Sequence, residues 1–331
     1  MILNPAIIAL LMGSFLISLM MLYSGFWGLK ILRKWDLRSG SEMQIALERR
    51  TYLISTILNY VFSFQLASLF LFIYTTEDIH RFFVGAMCAA GTLNVNEYGY
   101  PLLIMKTVSF LMAGLWLVLN YTDTRAYDYP LIKVKYGFLL VILPFILVEA
   151  YLETKYFLNL RADVITSCCG SLFSSANTGV ASDMASLPPR SALAAYAVVL
   201  GIVLISGVTS LLTDRGGYVF SLLSFFLLIA AIIAIISAVS IYIYELPTHH
   251  CPFCILQKEY KYIGYLFYTT LFGGALSGMA SGALQPFRKK KSLEDILREI
   301  QKKLTIISLV FFVIFSLIVV LSIFSSHLKL S

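Results

Sequence analysis

Charged residues are scarce in this chain. Asp, Glu, Lys and Arg make up 13% of its 331 residues, against about a quarter in a soluble domain. That shortage excludes an ordinary soluble protein. No glycine-rich phosphate loop and no H-E-x-x-H metalloprotease pattern is present, so neither nucleotide nor zinc-protease chemistry has its usual carrier. The order C-x-x-C-H, used for covalent haem, is also missing, because the histidines precede the cysteines. No long repeat or low-complexity tract occurs, and no cysteine follows Cys254. The amino end lacks a basic stretch ahead of its first apolar run; Lys30, Arg33 and Lys34 follow that run instead. This order predicts an anchor kept in the membrane, with the N-terminus outside, rather than a cleaved signal.

What the chain has is apolar length. Hydrophobic residues reach 59% and the mean hydropathy is +0.83. Eight spans are expected: Ile7–Leu29, Tyr52–Tyr74, Leu102–Asn120, Tyr136–Tyr156, Leu193–Leu212, Val219–Tyr242, Tyr262–Leu284 and Leu304–Ile323. Each holds about 20 residues, which crosses a hydrocarbon core of roughly 30 Å. The fold class expected is all-α, a polytopic membrane protein built as a single transmembrane domain. Pro144 falls inside the fourth span, where a proline kinks a helix without excluding it.

The net charge of +7 is then a matter of topology and calls for no nucleic acid. Of the 25 Lys and Arg, 17 fall in the connections after the odd spans and 6 in the even connections and the C-terminus, with Lys106 and Lys155 inside spans. The positive-inside rule puts the odd connections in the cytoplasm, and both termini outside. The expected setting is a bacterial-type inner membrane. Residues 288–303, with Leu293, Ile296, Leu297 and Ile300 at helical spacing, are expected to form an amphipathic helix on the inner leaflet. SEMQ at Ser41–Gln44 and SLED at Ser292–Asp295 read as capping boxes.

With this sidedness all five cysteines and all four histidines fall on the outer face. Cys88 follows the second span. Cys168 and Cys169 lie in the long outer loop expected at 157–191. Cys251 and Cys254 follow the sixth span, directly after His249 and His250. The outer side of such a membrane is oxidising, and thiol exchange is used there. Proline after Cys251 suits the first position of a helix, so the seventh helix is expected to open at the CPFC motif. Cys251 would then sit near its N-cap and Cys254 in its first turn, where the positive end of the helix lowers thiol pKa.

The segment SIYIYELPTHHCPFCILQKEYKYIGYLFY, Ser240 to Tyr268, resembles the C-x-x-C-x-x-Q-R segment of the disulfide-bond formation protein B family, the quinone-reducing thiol oxidants of the periplasmic membrane face. The resemblance implies a redox pair in Cys251 and Cys254, with Cys254 nearest a quinone and Cys251 exchanging with a second thiol pair. It implies a quinone-binding role for Gln257, and for Lys258 where the family has arginine. His250 is the third candidate at the quinone. The family's second cysteine pair comes later in its chain. Here it has to come from Cys88, Cys168 or Cys169.

The function expected is therefore a membrane thiol–disulfide oxidoreductase, an enzyme passing electrons between outer-face cysteine pairs and a quinone. Its partners would be membrane lipid and a periplasmic thiol protein or another membrane subunit. Two other readings stay open. Thiolate and imidazole suit copper, so Cys168, Cys169, His249 and His250 could serve copper handling or respiratory-complex maturation. The cysteines could instead be staples in a structural subunit. Lys106 and Glu149 are ionisable groups within or near spans. Lys106 is close enough to an end to reach the interface. Gly274, Gly278 and Gly282 form a small-residue face expected to pack a neighbouring helix.

Overall fold

The structure is a computed structural model that describes residues 3–36, 39–166, 180–213, 216–290 and 292–328. Its long helices are α1 (Pro5–Lys34), α2 (Glu42–Asp78), α3 (Gly99–Arg125), α4 (Ile132–Leu158), α5 (Pro189–Thr213), α6 (Gly217–Tyr244), α7 (Ile263–Ala283) and α8 (Glu294–Phe324). No strand occurs among the described residues. All but α7 are long and apolar enough to cross a membrane. At 21 residues α7 has the length, about 31 Å at 1.5 Å per residue. Thr269, Thr270, Gly273, Gly274, Ser277, Gly278, Ser281 and Gly282 dilute its hydropathy. The chain is a multi-pass, all-α membrane protein. Large apolar side chains such as Phe15, Val198, Ile205 and Leu321 stand exposed on the helices, an apolar surface suited to lipid.

Local chemistry explains the helix limits. Asn4 caps α1, its Oδ1 accepting from the Ala6 amide at 2.9 Å, and Pro5 supplies the first position. The first capping box forms by half. Ser41 Oγ accepts from the Gln44 amide at 3.3 Å, while the Gln44 side chain accepts from the Asp36 amide at 3.2 Å. Pro144 is accommodated within an uninterrupted α4.

Two expectations need correction. The amphipathic segment 288–303 is not a separate surface helix. From Glu294 it runs into the last span as one helix of 31 residues, because no glycine or proline interrupts the helix-forming stretch EDILREIQKKL. The connection expected at 157–191 is shorter: Phe157 and Leu158 end α4, Val180–Ala185 is helical, and Pro189 opens α5. The chain packs as two compact units. Residues 1–75, 95–161 and 287–297 make unit 1, and residues 76–94, 162–286 and 298–331 make unit 2.

Unit 1 packs α1 and α3 on α4 around Met21, Ile54, Phe62, Trp116, Tyr136 and Leu139. It contains two buried charge clusters. Lys135 Nζ lies 2.8 Å from Asp123 Oδ2 and donates to Asn120 Oδ1 and Ser55 Oγ at 3.0 and 3.2 Å. Lys106 Nζ lies 2.9 Å from Glu149 Oε1 and 3.3 Å from Glu153 Oε2. Lys106 does not reach for the interface: it is 2% exposed and turned onto these carboxylates.

Unit 2 packs α6 between α5 and α7. The glycine face of α7 does what its spacing predicts. A Cβ at Gly278 would strike Ser224 of α6 and Ser308 of α8, one at Gly282 would strike Ser221, and one at Gly274 would meet the Phe312 ring. The close approach lets Ser308 Oγ donate to the Gly274 carbonyl at 2.7 Å, and Ser221 Oγ to that of Met279 at 3.0 Å.

Candidate functional site

Three of the five cysteines meet in unit 2. Cys88 precedes the single-turn helix Ala89–Leu93. Cys251 and Cys254 lie between α6 and α7. The three Sγ atoms all lie within 4.8 Å of one another. Cys88 Sγ is 3.5 Å from Cys251 Sγ, although 163 positions separate the residues. A disulfide spans about 2.05 Å, so this is a contact between thiols, one bond-forming step short of a disulfide. The residues are 0%, 1% and 5% exposed.

The CPFC motif does not open α7. Cys254–Leu256 and Lys258–Tyr260 form two 3-10 turns, and α7 begins only at Ile263. Neither thiol is in its first turn, beyond which the helix dipole has little effect. The reason is backbone geometry. Gln257 is extended, with ψ 159°, and Lys261 and Tyr262 are left-handed, with φ 56° and 57°. Glu245, at the other end of the connection, is left-handed too, with φ 55°. Left-handed backbone costs a non-glycine residue about 1–2 kcal/mol, so the surroundings have to hold it. Gly264 is part of that hold, since a Cβ there would strike the Ile255 backbone.

Of the residues that fix the cluster, the sequence singled out Gln257 but not Glu77, Tyr244 or Tyr268. Glu77, near the end of α2, ties the two segments together. Its Oε1 accepts from Gln257 Nε2 at 2.8 Å and its Oε2 from the Ala89 amide at 2.6 Å. Gln257 Nε2 also donates to the Met87 carbonyl at 2.7 Å. Both of its amide protons are thereby used within the protein, where they hold the Cys88 segment to the motif. Tyr244 and Tyr268 donate to the carbonyls of Cys251 and Pro252, each at 2.6 Å. Segment 162–166 docks on the same region: the Thr166 amide donates to the Val84 carbonyl at 3.0 Å, close against Gly85, whose φ is +88°.

A π-helical turn, Ile235–Val239, interrupts α6 beside the motif. Such turns leave carbonyls open to other donors. Ser240 Oγ donates to the Ile235 carbonyl at 2.7 Å, and His250 Nδ1 lies 3.0 Å from that of Ile236. His250 is thus an anchor of the loop. His249 is the histidine at the sulfurs, with Nε2 3.3 Å from Cys254 Sγ. Of the set expected from sequence for a metal, Cys168, Cys169, His249 and His250, the structure places His249 at the sulfurs and His250 on the Ile236 carbonyl. Among the described residues, the grouping spaced for a metal is Cys88, Cys251 and Cys254, with His249 alongside. Cys168 and Cys169 lie outside the described residues. Lys258 is exposed in the second 3-10 turn.

An aromatic bridge leads away from the sulfurs. The His249 ring is 4.6 Å from that of Tyr244, edge to face, and Tyr244 is 4.8 Å from Tyr260. Tyr260 lines a cavity of about 420 Å³ whose walls also include Ile263, Leu266, Ile318, Leu321 and Lys261. Burial, with the Cys254 sulfur and the Glu259 carboxylate nearby, raises the Tyr260 phenol above its usual value of 10.0 and keeps it protonated.

No family model, curated protein or solved structure matches the chain. The functional reading therefore rests on this geometry and on the residues themselves.

Proposed function

We infer that the protein is a membrane thiol–disulfide oxidoreductase with Cys88, Cys251 and Cys254 as its exchange site. The observation that carries this reading is the 3.5 Å approach of Cys88 Sγ to Cys251 Sγ within a three-sulfur cluster. Joining these two thiols releases two protons and two electrons. An acceptor of the quinone class, implied by the CPFCILQK resemblance, takes up both when bound. The cavity bordered by Tyr260 suits such a molecule, because apolar walls from Ile318, Leu321 and Leu266 meet hydroxyl groups and Lys261 there. His249, against Cys254, is the group that accepts a thiol proton. The three sulfurs are too buried for a folded partner to reach. Exchange with a partner thiol protein is assigned to Cys168 and Cys169. The even connections are taken as the outer, oxidising side of an inner membrane.

One observation favours a second reading. Thiolates bound to one ion at about 2.3 Å lie about 3.8–4.0 Å from each other, within the spacing of these three sulfurs. With the His249 imidazole they would make a four-ligand site for a thiophilic ion such as Cu(I) or zinc.

One experiment separates the two. The full-length protein in nanodiscs is treated with a soluble quinone, its thiols are alkylated, and its peptides are mapped by mass. A Cys88–Cys251 or Cys251–Cys254 linkage formed only with quinone supports the first reading. Three thiols that stay alkylatable with quinone, on a protein that co-purifies with one equivalent of metal lost in Cys88→Ser, would replace it with the second.

A further inference from the structure

Unit 1 holds a buried group of charges that do not cancel. Lys106 of α3 faces Glu149 and Glu153, one helical turn apart on α4. The three side chains are 2%, 3% and 0% exposed. Glu149 lies nine residues before the end of α4, about 13 Å along the helix. Glu153 lies five residues before that end, and both fall inside the candidate membrane span Ile132–Leu158.

Partners on every neighbouring helix can be named. From α2, Gln65 Nε2 donates to both Glu149 oxygens at 2.7 Å. Phe72, also of α2, presents its ring 5.6 Å from Lys106 Nζ. From α1, the Ser14 hydroxyl faces Glu153; it already donates to the Leu11 carbonyl at 3.1 Å and has a lone pair to offer. Lys106 is the one cation of the group. Glu149 is thus fully engaged by Lys106 and Gln65. Glu153, beside Ser14, has the longer Lys106 contact through Oε2, and its buried Oε1 has no hydrogen-bond partner.

Two ionised carboxylates against one ammonium leave a net charge of −1, and an uncompensated charge in a dry interior is costly. We propose that this cluster is an intramembrane cation site whose occupant is a single exchangeable proton, carried by Glu153. The proton resides on Oε1, the oxygen without a hydrogen-bond partner. The cluster is then neutral: one ammonium, one carboxylate and one carboxyl. The site holds whatever the sulfur cluster does, since it uses none of those residues.

Infrared spectroscopy of the full-length protein in nanodiscs tests this at neutral pH in sodium-free buffer. A protonated-carboxyl carbonyl band is expected in wild type and lost in Glu153→Gln, whose amide reproduces the carboxyl's shape and hydrogen bonds. Glu149→Gln should also lose the band, because Glu153 then ionises against Lys106. Lys106→Met should double it, since neither carboxylate keeps a counter-charge. An identical band region in wild type and Glu153→Gln would overturn the proposal. So would a band that fades when sodium replaces choline, which would make the occupant a metal cation.

Discussion

The sulfur cluster of unit 2 and the charge cluster of unit 1 are both buried polar sites, built on different physics. The thiols are small and weakly polar, and they tolerate burial much as apolar groups do. What holds them together is the frame around them: Glu77, Gln257, Tyr244, Tyr268 and the turn at Lys261–Tyr262. Lys106, Glu149 and Gln65 instead hold one another directly. One site can lose a member and keep its fold. The other depends for stability on its own members.

The sharpest test of that contrast is Lys106→Met against Cys88→Ala. Removing one partner of a buried ion pair costs about 3–5 kcal/mol. Extra proton uptake in Lys106→Met offsets part of this and makes the loss grow as pH rises. Cys88→Ala removes one sulfur atom and should cost about 1 kcal/mol. Thermal unfolding of the solubilised variants reads both. Equal destabilisation would break the comparison.

Next in size is Glu77→Ala. It leaves the Ala89 amide and one Gln257 amide proton without an acceptor, at about 1–3 kcal/mol for each buried group. The expected signature is local: faster hydrogen exchange at Ala89, and a several-fold fall in Cys88–Cys251 cross-linking by a short bis-maleimide. Unchanged cross-linking would mean that the sulfurs assemble without this clamp.

Glu77 also shows what the sequence could and could not disclose. Hydropathy made the helices legible, because each span is a local run of apolar residues. The glycine face of α7 was legible for the same reason, since its spacing is local. CPFC stood out as four adjacent residues. The convergence of Cys88 on that motif was not legible, because a contact over 163 positions leaves no periodic trace. The 3-10 turns were missed because Pro252 is as acceptable in a turn as at a helix start. Lys106 looked able to reach the interface because its carboxylate partners lie 43 and 47 positions away.

A smaller effect is expected at the glycine face. Gly278→Ala should cost about 1–3 kcal/mol, because the new methyl group meets two serine hydroxyls in a full interface. Pairing it with Ser224→Gly should recover part of the loss. Failure to recover would move the obstruction from Ser224 to Ser308.

The smallest change is Tyr244→Phe, and it probes how the frame acts on the sulfurs. The substitution deletes the hydroxyl that donates to the Cys251 carbonyl at 2.6 Å but keeps the ring between His249 and Tyr260. A hydrogen bond of this kind is worth about 0.5–1.5 kcal/mol net, so the fold should survive with a slightly lower unfolding temperature. If Tyr244 serves chiefly to hold the motif, quinone-driven oxidation of Cys251 should slow as its backbone gains freedom. Tyr260→Phe, which leaves that carbonyl bond untouched, should not slow it by the same route. Equal slowing in both variants would shift the role to the row of phenols, and the contrast between a held sulfur site and a self-supporting charge site would need a chemical term as well as a structural one.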